Sequence, residues 1–122
     1  MEHSTAADIE GLSAGWLTLG EFAERIGERP SRVKDLIREG RLVTIEVGTP
    51  PAARIPAEFV HDGELIKGLS GALTVLADAG FSPVESVRWL LTETEALPGR
   101  PVDYMAAGRH TAVKRVAMAL AF

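Results

Sequence analysis

The 122-residue chain contains no cysteine, which excludes disulfide bridges and thiolate metal sites and is in keeping with a reducing cytoplasm. Its three histidines, His3, His61 and His110, stand far apart without metal-ligand spacing, so neither a metal nor a cofactor is expected. No apolar run reaches the roughly eighteen residues that a membrane helix needs, and no basic-then-apolar leader is present. Neither membrane association nor secretion is therefore expected. Gly-x-Ser-x-Gly, P-loop and Rossmann glycine patterns are missing as well. Glu93 and Glu95 lie in a polar stretch before Pro98-Gly99, where solvation accounts for them, and His61-Asp62 reads as the cap of a third helix. The chain is not expected to be an enzyme.

What is present is ordinary globular composition, 46% hydrophobic and 25% charged, enough for one domain or two very small ones. Thr18 to Pro56 carries the most information. Thr18 and Glu21 have the spacing of a capping box, in which hydroxyl and carboxylate satisfy backbone N–H groups of a first helical turn. Leu19, Phe22, Ala23 and Ile26 then fall on one apolar face. Gly27 ends that helix, and Pro30 and Ser31 open a second, with Val33, Leu36 and Ile37 inward and Gly40 as its stop. Leu42 to Val47 is rich in β-branched residues and predicts a strand. Gly48-Thr49-Pro50-Pro51 is the connection and Ala53-Arg54-Ile55 the return strand, confined to an edge by Pro56, which lacks a ladder donor. Helix, tight turn, helix and hairpin are the order of a winged helix-turn-helix, whose second helix fits a DNA major groove.

The second helix is studded with cations. Arg32, Lys34 and Arg38 are expected on its outward face beside Ser31, with Arg29 in the turn and Arg41 just past the end. Arg25 to Arg41 holds six basic and three acidic residues, a local excess of +3 in a chain whose net charge is −4. Arg pairs bidentately with guanine edges, and both Arg and Lys contact phosphates. The other reading is an ordinary solvated face on which Glu28, Asp35 and Glu39 pair with these cations. Arg54 on the hairpin has two readings too, a phosphate or minor-groove contact and a cross-strand pair with Glu46. The acidic total argues against strong non-specific binding, so one copy is expected to hold DNA weakly and in a salt-sensitive way.

The string VKDLIREGRLVTIEVG followed by ARIPAEFV resembles excisionase-like and MerR-like winged helix-turn-helix modules. Taken whole, with the closing GRHTAVKRVAMALAF, the chain is similar to a small actinobacterial family of winged-helix DNA-binding proteins described as substrates of a membrane Ser/Thr protein kinase. The resemblance implies double-stranded DNA as a partner, with Arg32, Lys34, Arg38 and Arg54 as the positions that carry binding, and a C-terminal helical domain. It also implies a kinase as a partner, which makes the hydroxyls of Ser4 and Thr5 candidate phosphorylation sites in the N-terminal segment.

The expected fold class is mainly α with a small β-hairpin wing: a winged helix-turn-helix followed by a C-terminal helical domain. Residues 1–15, polar and carrying Glu2, Asp8 and Glu10, are expected to form a flexible tail, with Trp16 and Leu17 as an apolar anchor on the first helix. The winged unit spans 16–62 and the helical domain 63–122. In the latter, Leu65, Ile66, Leu69, Leu73, Val75 and Leu76 trace a helix opening at Glu64 and closed by Gly80. Ser82-Pro83-Val84-Glu85 is a second capping box, a short helix passes through Val102, Tyr104 and Met105, and a last helix starts near His110. Val113, Val116, Ala117, Leu120 and Phe122 are expected on the buried face of that last helix. Arg109, His110, Lys114 and Arg115 form a second basic patch, read first as cations of the helix surface and otherwise as a DNA contact. The Ser82-Pro83 opening and closing amphipathic helix also resemble the toxin-binding domain of some antitoxins. Two functions of different class follow: a DNA-binding regulatory protein controlled through its N-terminal segment, and a protein-interaction module whose C-terminal helices hold a partner or a second copy.

Overall fold

The computed structural model describes residues 9–121. Its fold is mainly helical, with a small antiparallel sheet. A 3-10 turn at Glu10–Leu12 leads into strand β1 (Trp16–Leu17), helix α1 (Leu19–Ile26), helix α2 (Pro30–Arg38) and the hairpin β2 (Ile45–Val47) and β3 (Ala52–Pro56). A 3-10 turn at Ala57–Phe59 and a second small hairpin, β4 (Val60–His61) with β5 (Glu64–Leu65), connect to α3 (Leu69–Asp78), α4 (Pro83–Leu91), α5 (Pro101–Ala106) and α6 (His110–Ala119).

The helix boundaries have local causes. Thr18 Oγ1 accepts the Glu21 N–H at 3.0 Å while the Glu21 carboxylate accepts the Thr18 N–H at 2.8 Å, completing the capping box at α1. Ser82 and Glu85 repeat it at α4, with bonds of 3.1 Å and 2.8 Å. α1 and α2 end alike. Gly27 (φ 69°) and Gly40 (φ 76°) turn left-handed, and the next residue wraps back, Glu28 N–H to Ala23 and Arg41 N–H to Leu36, each at 2.9 Å. That ending satisfies carbonyls the last turn leaves open, and a side chain at either glycine would be strained. Only Glu28 and Arg29 separate Gly27 from Pro30, so the two helices leave the turn tightly joined.

Several sequence expectations are corrected. The strand predicted from Leu42 starts at Ile45, because Leu42 turns into the core, fully buried, before pairing begins. β3 is not an edge strand: the order is β1-β3-β2, with Trp16 opposite Pro56 and Ile45 opposite Arg54. Pro56 is accommodated because the Ala57 N–H donates to Gly15 at 2.8 Å, which makes Trp16–Pro56 a pair that exchanges no ladder bond. On its other side β2 has already ended. Trp16 and Leu17 therefore form a strand rather than only a hydrophobic anchor. The third helix starts at Leu69, not Glu64. His61-Asp62-Gly63 is the turn of the β4–β5 hairpin rather than a helix cap, with Asp62 (φ 53°) and Gly63 (φ 76°) both left-handed. Leu120, expected on the buried face of α6, is 41% exposed, and Phe122 lies outside the described residues.

Residues 9–15, expected within a flexible tail, are part of the fold, and residues 1–8 lie outside the described residues. Ile9 is fully buried, and Ser13 to Gly15 are bonded into the fold. Glu58 is the reason. Its carboxylate, with the side chain 12% exposed, accepts Ser13 Oγ at 2.6 Å, the Ala14 N–H at 2.9 Å and Arg100 Nη1 at 3.2 Å. Arg100 also donates to the Leu12 carbonyl at 3.2 Å and grips Asp103 through two bonds of 2.8 and 2.9 Å. Hydrogen bonds donated to Asp103 first, and to Glu58 after, raise the Arg100 pKa above its ordinary value against the opposing effect of partial burial. The apolar core is continuous across both halves, from Ile9, Phe22 and Leu36 through Phe59 and Leu69 to Leu90 and Ala117.

Removing one partner of this clamp leaves a desolvated charge behind. Arg100→Ala and Glu58→Ala are each expected to cost about 1.5–3 kcal/mol in urea unfolding, with the double variant costing less than their sum. At the cap, Thr18→Ala is expected to cost about 1 kcal/mol. Glu21 adds a pH dependence, because the Thr18 N–H holds its carboxyl below the ordinary glutamate value. Such a carboxylate stabilises the fold fully above its unfolded range and loses that contribution as pH falls through its lower folded value. Unfolding midpoints across the acid range are therefore expected to decline less in Glu21→Gln than in the natural chain.

Candidate nucleic-acid interface

α2 buries Val33 and Leu36, half-buries Ile37, and leaves Ser31, Lys34 and Arg38 exposed along one edge. At 3.6 residues per turn those three exposed positions share a face. Arg38 Nη1 meets Asp35 Oδ1 at 2.8 Å, with side-chain exposures of 73% and 42%. A pair that open to water holds weakly, on the order of 0–1 kcal/mol, so Arg38 can exchange Asp35 for another anion. Arg29 sits at the start of α2, exposed and making no side-chain cap bond.

The remaining candidate residues are not on that edge. Arg32, grouped by sequence with Lys34 and Arg38, is half-buried on the flank of α2 and lines a cleft of about 630 Å³ shared with Leu36, Arg41 and the first turn of α3. Arg41 leans toward the C-terminal half: its Nη1 lies 3.6 Å from Glu39 Oε1, and its Nε donates to Ser70 Oγ at 3.4 Å. Ser70 Oγ in turn donates to the Arg41 carbonyl at 3.3 Å. Arg54 faces neither Glu46 nor solvent alone. It stands opposite Ile45, donates from Nη1 to the Ala53 carbonyl at 3.0 Å and lowers the Glu21 pKa through its charge. Thr5 and Ser4 lie outside the described residues.

Two features of this region were not foreseen. Lys67 and Gly68 line the same cleft, a position that a helix opening at Glu64 does not reveal. The Asp62-Gly63 dipeptide, a strong hairpin signal, would have moved that start. Glu10 reaches the hairpin turn, its Oε2 accepting the Gly48 N–H at 3.0 Å, so the N-terminal segment meets the β2–β3 loop.

The class of protein is a small, mainly helical one in which two helices joined by a tight turn and a small antiparallel sheet share a core with four C-terminal helices among the described residues. Residues 66–121 match the family model described as the Rv2175c C-terminal domain of unknown function. Over 117 residues the chain is 33% identical to the DNA-binding protein Rv2175c of Mycobacterium tuberculosis, covering 85% of this chain and 79% of the relative. The NMR structure of Rv2175c superposes with a TM-score of 0.77 at 32% identity, covering 88% of this chain and 82% of that one. The chain belongs to the Rv2175c family.

Gly68 shows how tightly α3 is seated beside the cleft. It is left-handed (φ 88°), and a Cβ there would run into the His110 side chain of α6, whose Nδ1 is buried without a hydrogen-bond partner. Gly68→Ala is expected to lower stability by at least about 1–2 kcal/mol from backbone strain alone, read as a fall in urea midpoint.

Proposed function

We propose that this chain is a DNA-binding regulatory protein, not an enzyme, that works as a winged helix-turn-helix of the excisionase and MerR kind. α2 is the groove-reading helix and β2–β3 the wing. The observation that carries this is the exposed edge of α2, where Ser31, Lys34 and Arg38 project from a helix held rigid by Val33 and Leu36 beneath. A major groove admits one α-helix, Arg and Lys donate to guanine O6 and N7, and Ser donates to phosphate or base. Arg29 at the start of α2 and Arg54 on the wing are placed to hold flanking backbone. The DNA-binding name of the relative supports the same partner.

Control through the N-terminal segment belongs to the same proposal, with a Ser/Thr protein kinase as the partner and Thr5 as the acceptor. Glu10 is bonded to the wing turn, and the five steps of chain from Thr5 to Glu10 span at most about 18 Å. A phosphate at Thr5 adds roughly two negative charges within that reach of the wing and repels the DNA backbone. A second reading, a protein-interaction module or homodimer, draws support from Met118 and Leu120, 51% and 41% exposed near the end of α6.

Fluorescence anisotropy on mixed-sequence duplex DNA across a salt series, beside Lys34→Ala/Arg38→Ala, tests the main reading. Binding is expected to fall steeply with salt, and each substitution to cost about 1–3 kcal/mol where it reads a base. Equal binding by the variant and the natural chain would move the choice to the interaction module, for which sedimentation equilibrium reads self-association.

A further inference from the structure

We infer that the cleft between α2 and the first turn of α3 seats a phosphate of the DNA backbone, so that the C-terminal half forms part of the DNA-facing surface. The inference rests on the reading above that the chain binds DNA, and it assigns DNA contacts to residues of α3 and α6 that no winged unit contains.

Cations from both halves converge there. Arg32 and Arg41 come from α2 and its exit, and Lys67 immediately precedes α3. Lys114 of α6 lies over the same turn: a Cβ added at Gly71, which lines the cleft, would stand 3.8 Å from the Lys114 Nζ. Glu28 and Glu64 line the cleft as well and Glu39 pairs with Arg41, so the four cations in and beside the cleft stand against three carboxylates. Among the described residues Arg32, Lys67 and Lys114 have no ion-pair partner, so those carboxylates do not neutralise them. Gathering unpaired like charges around a concave, partly desolvated space costs free energy that an entering anion recovers.

The backbone adds to this attraction without being its source. Gly68 caps α3 with no side chain, so the Ser70 and Gly71 amides of the first turn have no side-chain cap at the positive end of the helix dipole, while the Leu69 N–H donates to the Ile66 carbonyl. Ser70 presents a hydroxyl and holds Arg41 across the junction, fixing the spacing of the two halves around the cleft.

A duplex phosphate fits better than a free anion for a positional reason. The cleft shares α2 with the groove-reading edge: Arg32 opens into it, while Ser31 and Lys34, its neighbours in sequence, project from the exposed face. A helix set in the major groove is flanked by the sugar-phosphate strands on either side, and the α3 flank of α2 lies where one strand passes.

The test is the salt dependence of binding for the full chain and for Lys67→Ala/Lys114→Ala on a fluorescein-labelled mixed-sequence duplex. Both lysines are exposed, and a melting curve checks that the variant is folded. The slope of log affinity against log salt is expected to flatten by about 1–2, equally on different DNA sequences, because phosphate contacts carry no base information. Lys67→Arg/Lys114→Arg, which keeps the charge, is expected to restore the slope. An unaltered slope in the alanine variant, beside weakened binding by Lys34→Ala/Arg38→Ala, overturns this inference and leaves DNA binding by α2 intact. Absence of binding by the natural chain at low salt overturns both. Inorganic phosphate supplies the remaining arm: loss of its binding in the alanine variant with DNA binding unaffected makes the cleft a free-anion site and also overturns the inference.

Discussion

The carboxylate of Glu58 is the interaction on which the arrangement of this molecule most depends. It gathers a hydroxyl and an amide from the N-terminal segment and a guanidinium from the start of α5, groups separated by more than forty positions in sequence. A carboxylate this enclosed is tolerable only because every bond it accepts comes from a fixed donor, one of them charged. Through Arg100 the same hub takes hold of the Leu12 carbonyl and Asp103. The N-terminal segment, the end of the three-stranded sheet and the C-terminal helices are thereby locked to one point. Without that lock, the placement of the N-terminal segment against α5 would depend more on apolar contacts, which are less directional.

The continuous core has a functional consequence. A winged unit joined to a separate helical domain by a linker would present one DNA-facing helix and an independent partner-binding body. Here Phe59 and Ile66 join the halves, the Ile66 N–H donating to the Phe59 carbonyl at 2.9 Å, and Arg41 and Ser70 meet across the junction. A rigid junction of that kind lets charges on two distant stretches of sequence act as one surface.

The local devices were readable from residue type. Both capping boxes, the glycine ends of α1 and α2 and the proline starts of α2 and α4 all follow from interactions spanning at most five residues. The errors share a cause. Leu42 and Val43 have strand propensity but are drawn toward the core, and Leu65 and Ile66 have helical spacing but belong to a hairpin and its exit. Apolar runs of this length satisfy either period, and what decides between them is the surface each residue meets across the fold.

Sequence by itself determined the order of helix, turn, helix and hairpin, the identity of the cationic helix and the four-helix character of the second half among the described residues, because caps, turns and apolar periodicity act over short separations. Only the tertiary structure decided that β3 is central, that Arg32 parts from Lys34 and Arg38, and that Lys67 lines one cleft with it while Lys114 comes close to Gly71. Those outcomes depend on how the two halves dock. Docking is set by long-range burial and by the Glu58–Arg100 clamp, whose partners carry no local sign of one another.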